Sequence, residues 1–464
     1  MHHSNMHFGY VDDAAMLGHA SSLQESAANA TKLANEATKW GAENGLSFSS
    51  GKTELQHFHL TCETEPSVTI GPDTIPPNKA TRWLGIYLDT RLDFHLHVRT
   101  MTSRAARATA HVRSLANAVR GVPANLLRLA ATAAVFPVLL YGASIWYHGS
   151  QRHLDRGNLD MARQRRLIDM ISKVTTNVAK AIVPAYRTTP HAALYREAGI
   201  LPAPLMLDRC RRDAAVRATG LDEHHPLARM IRSRASTRLT LRHSELPRAP
   251  LPPRFLPLDH PPPRPPDIKD ARQIRAAKVH ITRIPPWDVQ IFSDGSKLQD
   301  GSTGAAAVLY AAGHTLPTTA AHLGEAMEVY DAELYGALIG LKAALKSPAA
   351  AFAENAVILL HNQEAAYRLL SGTPTKTSQD VILEFRAAAA LWPLRTRNAF
   401  SSGPGRVIVH WIPGHAGIPG NDAADHAAKS AASTPTSDGS PPPVSFAALE
   451  RWARTQHIAT TSSY

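Results

Sequence analysis

The sequence predicts a mixed α/β protein, and three observations carry the prediction. From residue 287 onward, short runs of β-branched residues alternate with helical patterns, as in a sheet whose strands are joined by helices. Ahead of that, residues 93–245 repeat apolar side chains at helical spacing and carry clustered arginines. Between these regions, residues 246–286 include Pro261-Pro262-Pro263-Arg264-Pro265-Pro266, which favours a stiff extended linker over a packed element. The same run could serve as a ligand for a domain that reads polyproline. The predicted organisation is 1–92, 93–245, a linker at 246–286, a folded domain at 287–431 and a disordered tail at 432–464 with a short helix near Phe446–Arg454.

At 464 residues the chain is long enough for two or three domains, and 44% hydrophobic residues is ordinary for a globular protein. Fifty Lys plus Arg against 38 Asp plus Glu give a net charge of +12, which favours a polyanionic partner, nucleic acid before a membrane surface. The two cysteines, Cys62 and Cys210, are far apart and form neither a disulfide framework nor a zinc cluster. They point to a reducing, intracellular compartment, nucleus or cytoplasm. The uncharged stretch Leu129–Tyr147 is long enough to cross a bilayer, but Pro137 and Gly142 interrupt it, and it predicts a buried helix pair. No membrane partner is expected.

The first sixty residues read as a strand-turn-strand bearing Asp12 and Asp13, then a helix with Leu23, Ala27, Ala30, Ala34 and Ala37 on one face. Gly41 and Gly45 end that helix. An alternating segment carrying Lys52 follows, then a strand at Arg82–Leu88. Gly51-Lys52-Thr53 is not a P-loop, because Gly45 is one residue too distant and follows a helix. The arginines of the central region (Arg99, Arg104, Arg107, Arg113 and Arg120; Arg163, Arg165 and Arg166; Arg209, Arg211 and Arg212) suit phosphate tracking, with solvated helix faces as the plainer reading. Paired histidines such as His57/His59 and His95/His97 lack the thiolates or convergent spacing of a metal site.

In the last domain the chemistry sits at strand ends. Val289–Ser293 is a strand leading into Asp294-Gly295-Ser296, and Gly301 and Gly304 open a hairpin partner that runs to Tyr310. A helix at 326–346 places Glu333 beside an apolar stripe of Leu334, Ala337, Leu338, Leu341 and Leu345, while Gly336 and Gly340 would let it approach a sheet closely. The strand Ala356–Leu360 ends in His361-Asn362-Gln363. Val407–Lys429 supplies a last strand, a glycine-rich turn with His415, and a helix start with Asp425. If these elements converge, Asp294, Glu333 and Asp425 gather anionic oxygens with no lysine in the motifs to neutralise them. Such a cluster repels itself unless divalent cations fill it, and hard oxygen donors favour Mg²⁺ or Mn²⁺.

These motifs, namely Asp294-Gly295-Ser296, Ala332-Glu333-Leu334, the strand before Asn362-Gln363, and the run from His415 to Asp425, resemble type 1 ribonuclease H in order and spacing. The resemblance implies a mixed five-stranded sheet flanked by helices and two-metal hydrolysis of the RNA strand of RNA–DNA hybrids. It makes Asp294 the ligand shared by two Mg²⁺ ions, Glu333 and Asp425 ligands of the leaving-group metal, and His415 a helper in proton transfer or product release. At His361 the sequence departs, since the family has an aspartate there. An imidazole removes one negative charge and is a poor ligand for Mg²⁺, so weakened activity is expected, with Mn²⁺ a possible substitute.

Tyr10-Val11-Asp12-Asp13, Gly45-Leu46 followed by Lys52-Thr53-Glu54, and Trp83-Leu84-Gly85 resemble the last palm motifs of a reverse transcriptase. LLYGASIW at Leu139–Trp146 and TPHAALYREAGI at Thr189–Ile200 resemble segments that join polymerase to RNase H in non-LTR retrotransposon proteins. The resemblance implies a truncated palm at 1–92 with a remnant polymerase motif of Asp12, Asp13 and Lys52, a thumb-like 93–245, and no DNA synthesis by this chain alone. The competing expectation is an inactive nucleic-acid-binding relic.

Overall fold

The computed structural model describes residues 6–60, 64–116, 121–147, 149, 158–219, 221, 225, 227, 271–371, 377–398, 403–434 and 444–462. The chain divides into two compact units, residues 1–210 and 211–463.

The first unit opens with a hairpin of β1 (Met6–Tyr10) and β2 (Asp13–Leu17), followed by α1 (Leu23–Glu43). Ser22 caps α1 by accepting the Glu25 N–H at 3.2 Å. Two more hairpins follow, β3 (Val68–Ile70) with β4 (Asp73–Ile75), and β5 (Ala80–Trp83) with β6 (Ile86–Asp89). Leu84 and Gly85 both have positive φ, as a tight two-residue hairpin turn demands. The rest is helical: α2 (His95–Leu115), α3 (Ala124–Ala134), α4 (Phe136–Leu139), α5 (Ala143–Trp146), α6 (Asn158–Ile182), α7 (His191–Ala198) and the start of α8 (Ala203–Thr219), whose residues from Arg211 onward belong to the second unit. Val98, Ala105, Leu127, Ala131, Leu139, Ile171, Val178, Leu194 and Leu207 share its core.

The apolar stretch 129–147 is thus broken into short helices whose Ala131, Val135, Leu139 and Trp146 are buried. Among the described residues no helix is long and apolar enough to cross a membrane. The retroelement-like motifs of this unit act as joints. The Tyr141 hydroxyl donates to the Leu84 carbonyl at 2.7 Å, and buried His97 places Nε2 2.9 Å from the Tyr141 carbonyl. Arg128 Nε donates to the Ala198 carbonyl at 2.7 Å, where Gly199 turns the chain with a φ of +63°.

The arginine clusters do not share one role. Arg99, Arg107, Arg113, Arg165 and Arg166 are exposed, whereas Arg163 pairs with Asp93 at 2.5 Å. Arg211 and Arg212 are buried, which removes them from any phosphate-tracking surface.

The second unit is built on a sheet of order β10-β8-β7-β11-β12, with a two-residue strand, β9 (His314–Thr315), beside β8. β7 (Val289–Lys297), β8 (Thr303–Ala311) and β10 (Thr319–Gly324) are antiparallel neighbours. β11 (Ala356–Leu360) lies parallel to both β7 and β12 (Val407–Trp411). Alternation sorts the side chains onto two faces. Ile291, Leu309, Ile358 and Leu360 enter one core with α10 (Val329–Lys346), α11 (Gln363–Ser371) and α12 (Gln379–Leu391). Phe292, Val308, Val357 and Leu359 enter the other with Ile412, Ile418 and Ala424 at α13 (Pro419–Ser433).

Within the stretch read as an extended linker, residues up to 270 lie outside the described residues, but Ala271–Arg283 is a helix, α9. The proline run stops at Pro266, and Ala277 and Ile281 of the proline-free segment beyond it pack into the second core. Near the C-terminus, α14 (Phe446–Ser462) extends well past the short helix foreseen from sequence. Its Phe446, Leu449 and Ala453 pack with Ala215 and Val216, and Arg451 reaches Glu328 Oε1 at 2.9 Å.

Candidate active site

β11 ends at Leu360, paired with Ser293 on β7 and with Trp411 on β12. β7 continues to Lys297, so the backbone from Asp294 onward has lost its β11 neighbour. Side chains from several elements meet in that opening. Asp294 comes from β7, Glu333 from α10, His361 from the residue after β11, and Asp425 from α13.

Small residues make the approach possible. A Cβ on Gly295 would stand 2.4 Å from the Glu333 backbone nitrogen, and one on Gly336 would stand 2.9 Å from the Asp294 carbonyl oxygen. Glycine is therefore required where α10 crosses β7, and this contact sets Glu333 over the strand that carries Asp294. The Trp411 indole N–H donates to the His361 carbonyl at 2.8 Å, which ties the end of β11 to β12.

Asp294 and Glu333 are 2% and 1% exposed. The His361 ring lies between them, with Nδ1 3.2 Å from Asp294 Oδ1 and Nε2 3.3 Å from Glu333 Oε1. Both Glu333 oxygens are buried, and neither accepts a well-formed hydrogen bond among the described residues. Burial pushes its carboxyl up to about 8, helped by the charges of Asp294 and Asp425 and opposed by His361 and the Asn362 side chain. Asp294 accepts the Gly295 N–H at 2.8 Å.

Asp425 is half-buried, and its environment differs. Burial opposes its ionisation, but the hydrogen bond and charge of Lys429, with contributions from Asp294 and His415, prevail and hold its carboxyl below the usual range. Lys429 Nζ stands 2.7 Å from Asp425 Oδ2. This corrects the reading that no lysine neutralises the carboxylates. Lys429 lies one helical turn beyond Asp425, an i,i+4 spacing visible in the sequence. His415 is exposed in the loop before α13, at a φ of +53°, and its ring centroid is 6.2 Å from that of His361.

The structure therefore brings Asp294, Glu333 and His361 together, sets Asp425 within electrostatic reach beside Lys429, and holds His415 at the rim. One ligand atom from each of Asp294, Glu333 and His361 falls within 4.8 Å of the others, a set able to hold a divalent ion. The buried Glu333 oxygens, approached by His361 and Asn362, suit that role. Two carboxylates with an imidazole form a softer set than oxygens alone.

The polymerase-like residues are not gathered in the same way. Asp12 is exposed in the β1–β2 turn, Asp13 is exposed at the start of β2, and Lys52 is exposed in a short 3₁₀ turn at Ser50–Lys52. Among the described residues no third metal-ligating side chain joins the two aspartates.

The family model for RNase H matches residues 286–433, the segment that forms the sheet, α10 to α13 and the whole carboxylate site. This segment is an RNase H domain. The chain is 24% identical over 158 residues to the 115 kDa protein of the type-1 retrotransposable element R1DM of Drosophila melanogaster, covering 34% of this chain and 15% of that protein. It is 23% identical over 199 residues to a retrovirus-related Pol polyprotein from a type-1 retrotransposable element of Nasonia vitripennis, covering 42% of this chain and 50% of that one. The chain thus spans half or less of these relatives. Together with the RNase H domain, these matches make the chain similar in part to reverse transcriptase/RNase H polyproteins of retrotransposons. Aligned on RNase H1 of Halobacterium salinarum, it covers 96% of that structure and 31% of itself, at 18% identity and a TM-score of 0.24.

Proposed function

We propose that the RNase H domain hydrolyses the RNA strand of RNA–DNA hybrids with a divalent metal, and that His361 slows this reaction. The observation that carries the reading is the buried pair Asp294 and Glu333, facing Asp425 inside an RNase H domain. A bound ion would supply charge for the reacting phosphate and acidify a water molecule. Asp294 and Glu333 would hold it, Asp425 would join them on release from Lys429, and exposed His415 is placed to carry a proton at the rim. His361 fills the space between the two buried acids with an imidazole where a further carboxylate would attract a second ion.

The test is cleavage of a labelled hybrid by the full chain in Mg²⁺ and in Mn²⁺. Wild type is expected to cut faster in Mn²⁺, and His361→Asp to raise the Mg²⁺ rate about tenfold or more. Equal Mg²⁺ rates for the two proteins would remove the argument from the missing carboxylate.

A second reading has its own support. His361 and Lys429 bring nitrogen groups to carboxylates that otherwise need metal, which suits an inactive hybrid-binding relic. A wild-type signal that Asp294→Asn leaves unchanged would favour it. Polymerase chemistry is not proposed for the first unit, because Asp12 and Asp13 stand in solvent without a third carboxylate among the described residues.

A further inference from the structure

Helix α9 precedes the segment matched by the RNase H family model. Its sequence, ARQIRAAKVHITR, contains Arg272, Arg275, Lys278, His280 and Arg283 and no acidic residue. Ala277 and Ile281 pack with Ile284, Ile412 and Ile418, the last two flanking the loop that carries His415. That packing turns the other face outward, and Arg275 and Lys278 are exposed. Neither forms an ion pair among the described residues. Lys278 Nζ lies 3.8 Å from the Cβ position of Gly417, two residues beyond His415. Arg275 stands one turn earlier, at the i,i+3 spacing that makes helical side chains neighbours.

We propose that Arg275 and Lys278 form a phosphate-binding edge that extends nucleic-acid contact outward from the His415 loop. The inference rests on the RNase H reading for its ligand, the sugar–phosphate backbone of an RNA–DNA hybrid. Free cations on a helix anchored beside the catalytic loop neutralise phosphates and release counterions, so their contribution is read directly in the salt dependence of binding. Base identity does not enter.

The experiment measures binding of a labelled hybrid to the full chain in EDTA across a range of salt concentrations. The Arg275→Gln/Lys278→Gln variant is compared with Arg397→Gln/Arg406→Gln. The control removes the same charge from two exposed residues that precede β12 in sequence, whereas the His415 loop follows it. The α9 variant is expected to make the slope of log affinity against log salt shallower by about 1.8, for two phosphate contacts. The control is expected to leave it nearly unchanged. Wild-type binding with an unaltered slope in the α9 variant, or equal changes in both variants, overturns the inference alone. A wild type that binds no hybrid at any salt concentration overturns the proposed function, and the inference with it.

Discussion

Asp12 and Asp13 stand on an exposed hairpin turn, while Asp294 and Glu333 are almost wholly removed from solvent and face each other across a histidine ring. The residue types match, yet the physical situations are opposite. Water screens the first pair, so its charges cost little and do little. The second pair has given up hydration, and the fold must answer with a proton, a cation or a metal. Acidic motifs in a sequence acquire chemical meaning only through the burial that strips them of water.

Substitution sharpens that contrast. Asp294→Asn is expected to lower hybrid cleavage by about 100-fold or more, because it removes a direct ligand candidate at the centre of the site. Asp12→Asn is expected to change neither cleavage nor stability beyond about 0.5 kcal/mol. Comparable effects of the two in one assay would break the comparison.

The next effect is on stability. The Glu333 carboxyl is raised from 4.5 to about 8 in the folded protein, so the fold holds a proton that the unfolded chain releases. The stabilisation linked to that proton is fully present below pH 4.5 and is lost as pH rises toward about 8. Over this window, metal-free wild type is expected to lose on the order of a few kcal/mol that Glu333→Gln retains. Denaturant unfolding of both proteins at several pH values checks it, and parallel profiles would contradict the assignment.

The smallest effect belongs to the Asp425–Lys429 pair, which is partly exposed and worth about 0.5 kcal/mol. Lys429→Gln is expected to leave the melting temperature almost unchanged while raising the Asp425 pKa, followed by NMR titration of its side chain. A titration midpoint identical to wild type would show that the lysine does not govern this carboxylate.

Much of the second unit was legible in the sequence. β-Branched runs marked β7, β11 and β12, and helical spacing with Gly336 and Gly340 marked α10 and its close approach to the sheet. The edge strand β10 was not, because its TAAHLG sequence has little β-branched character and its order comes from pairing with β8. Helix α9 was hidden by the prolines before it, since its helicity is rewarded by packing against Ile412 and Ile418.

Within the site, the participating residues were readable but their arrangement was not. That the His361 ring lies between two acids depends on the register of β11 against β7, which no local pattern encodes. Lys429 was readable in principle from its i,i+4 spacing to Asp425. The burial of Arg211 and Arg212 had no comparable signal, because arginines on a helix read as solvent-facing unless the packing is known.

The bond from the Trp411 indole to the His361 carbonyl holds the main chain and is indifferent to the side chain that the residue carries. Position 361 is therefore a fixed mount with an exchangeable head. A histidine codon becomes an aspartate codon by one base change, so a single mutational event would alter the electrical character of the candidate site while keeping the anchor of the strand.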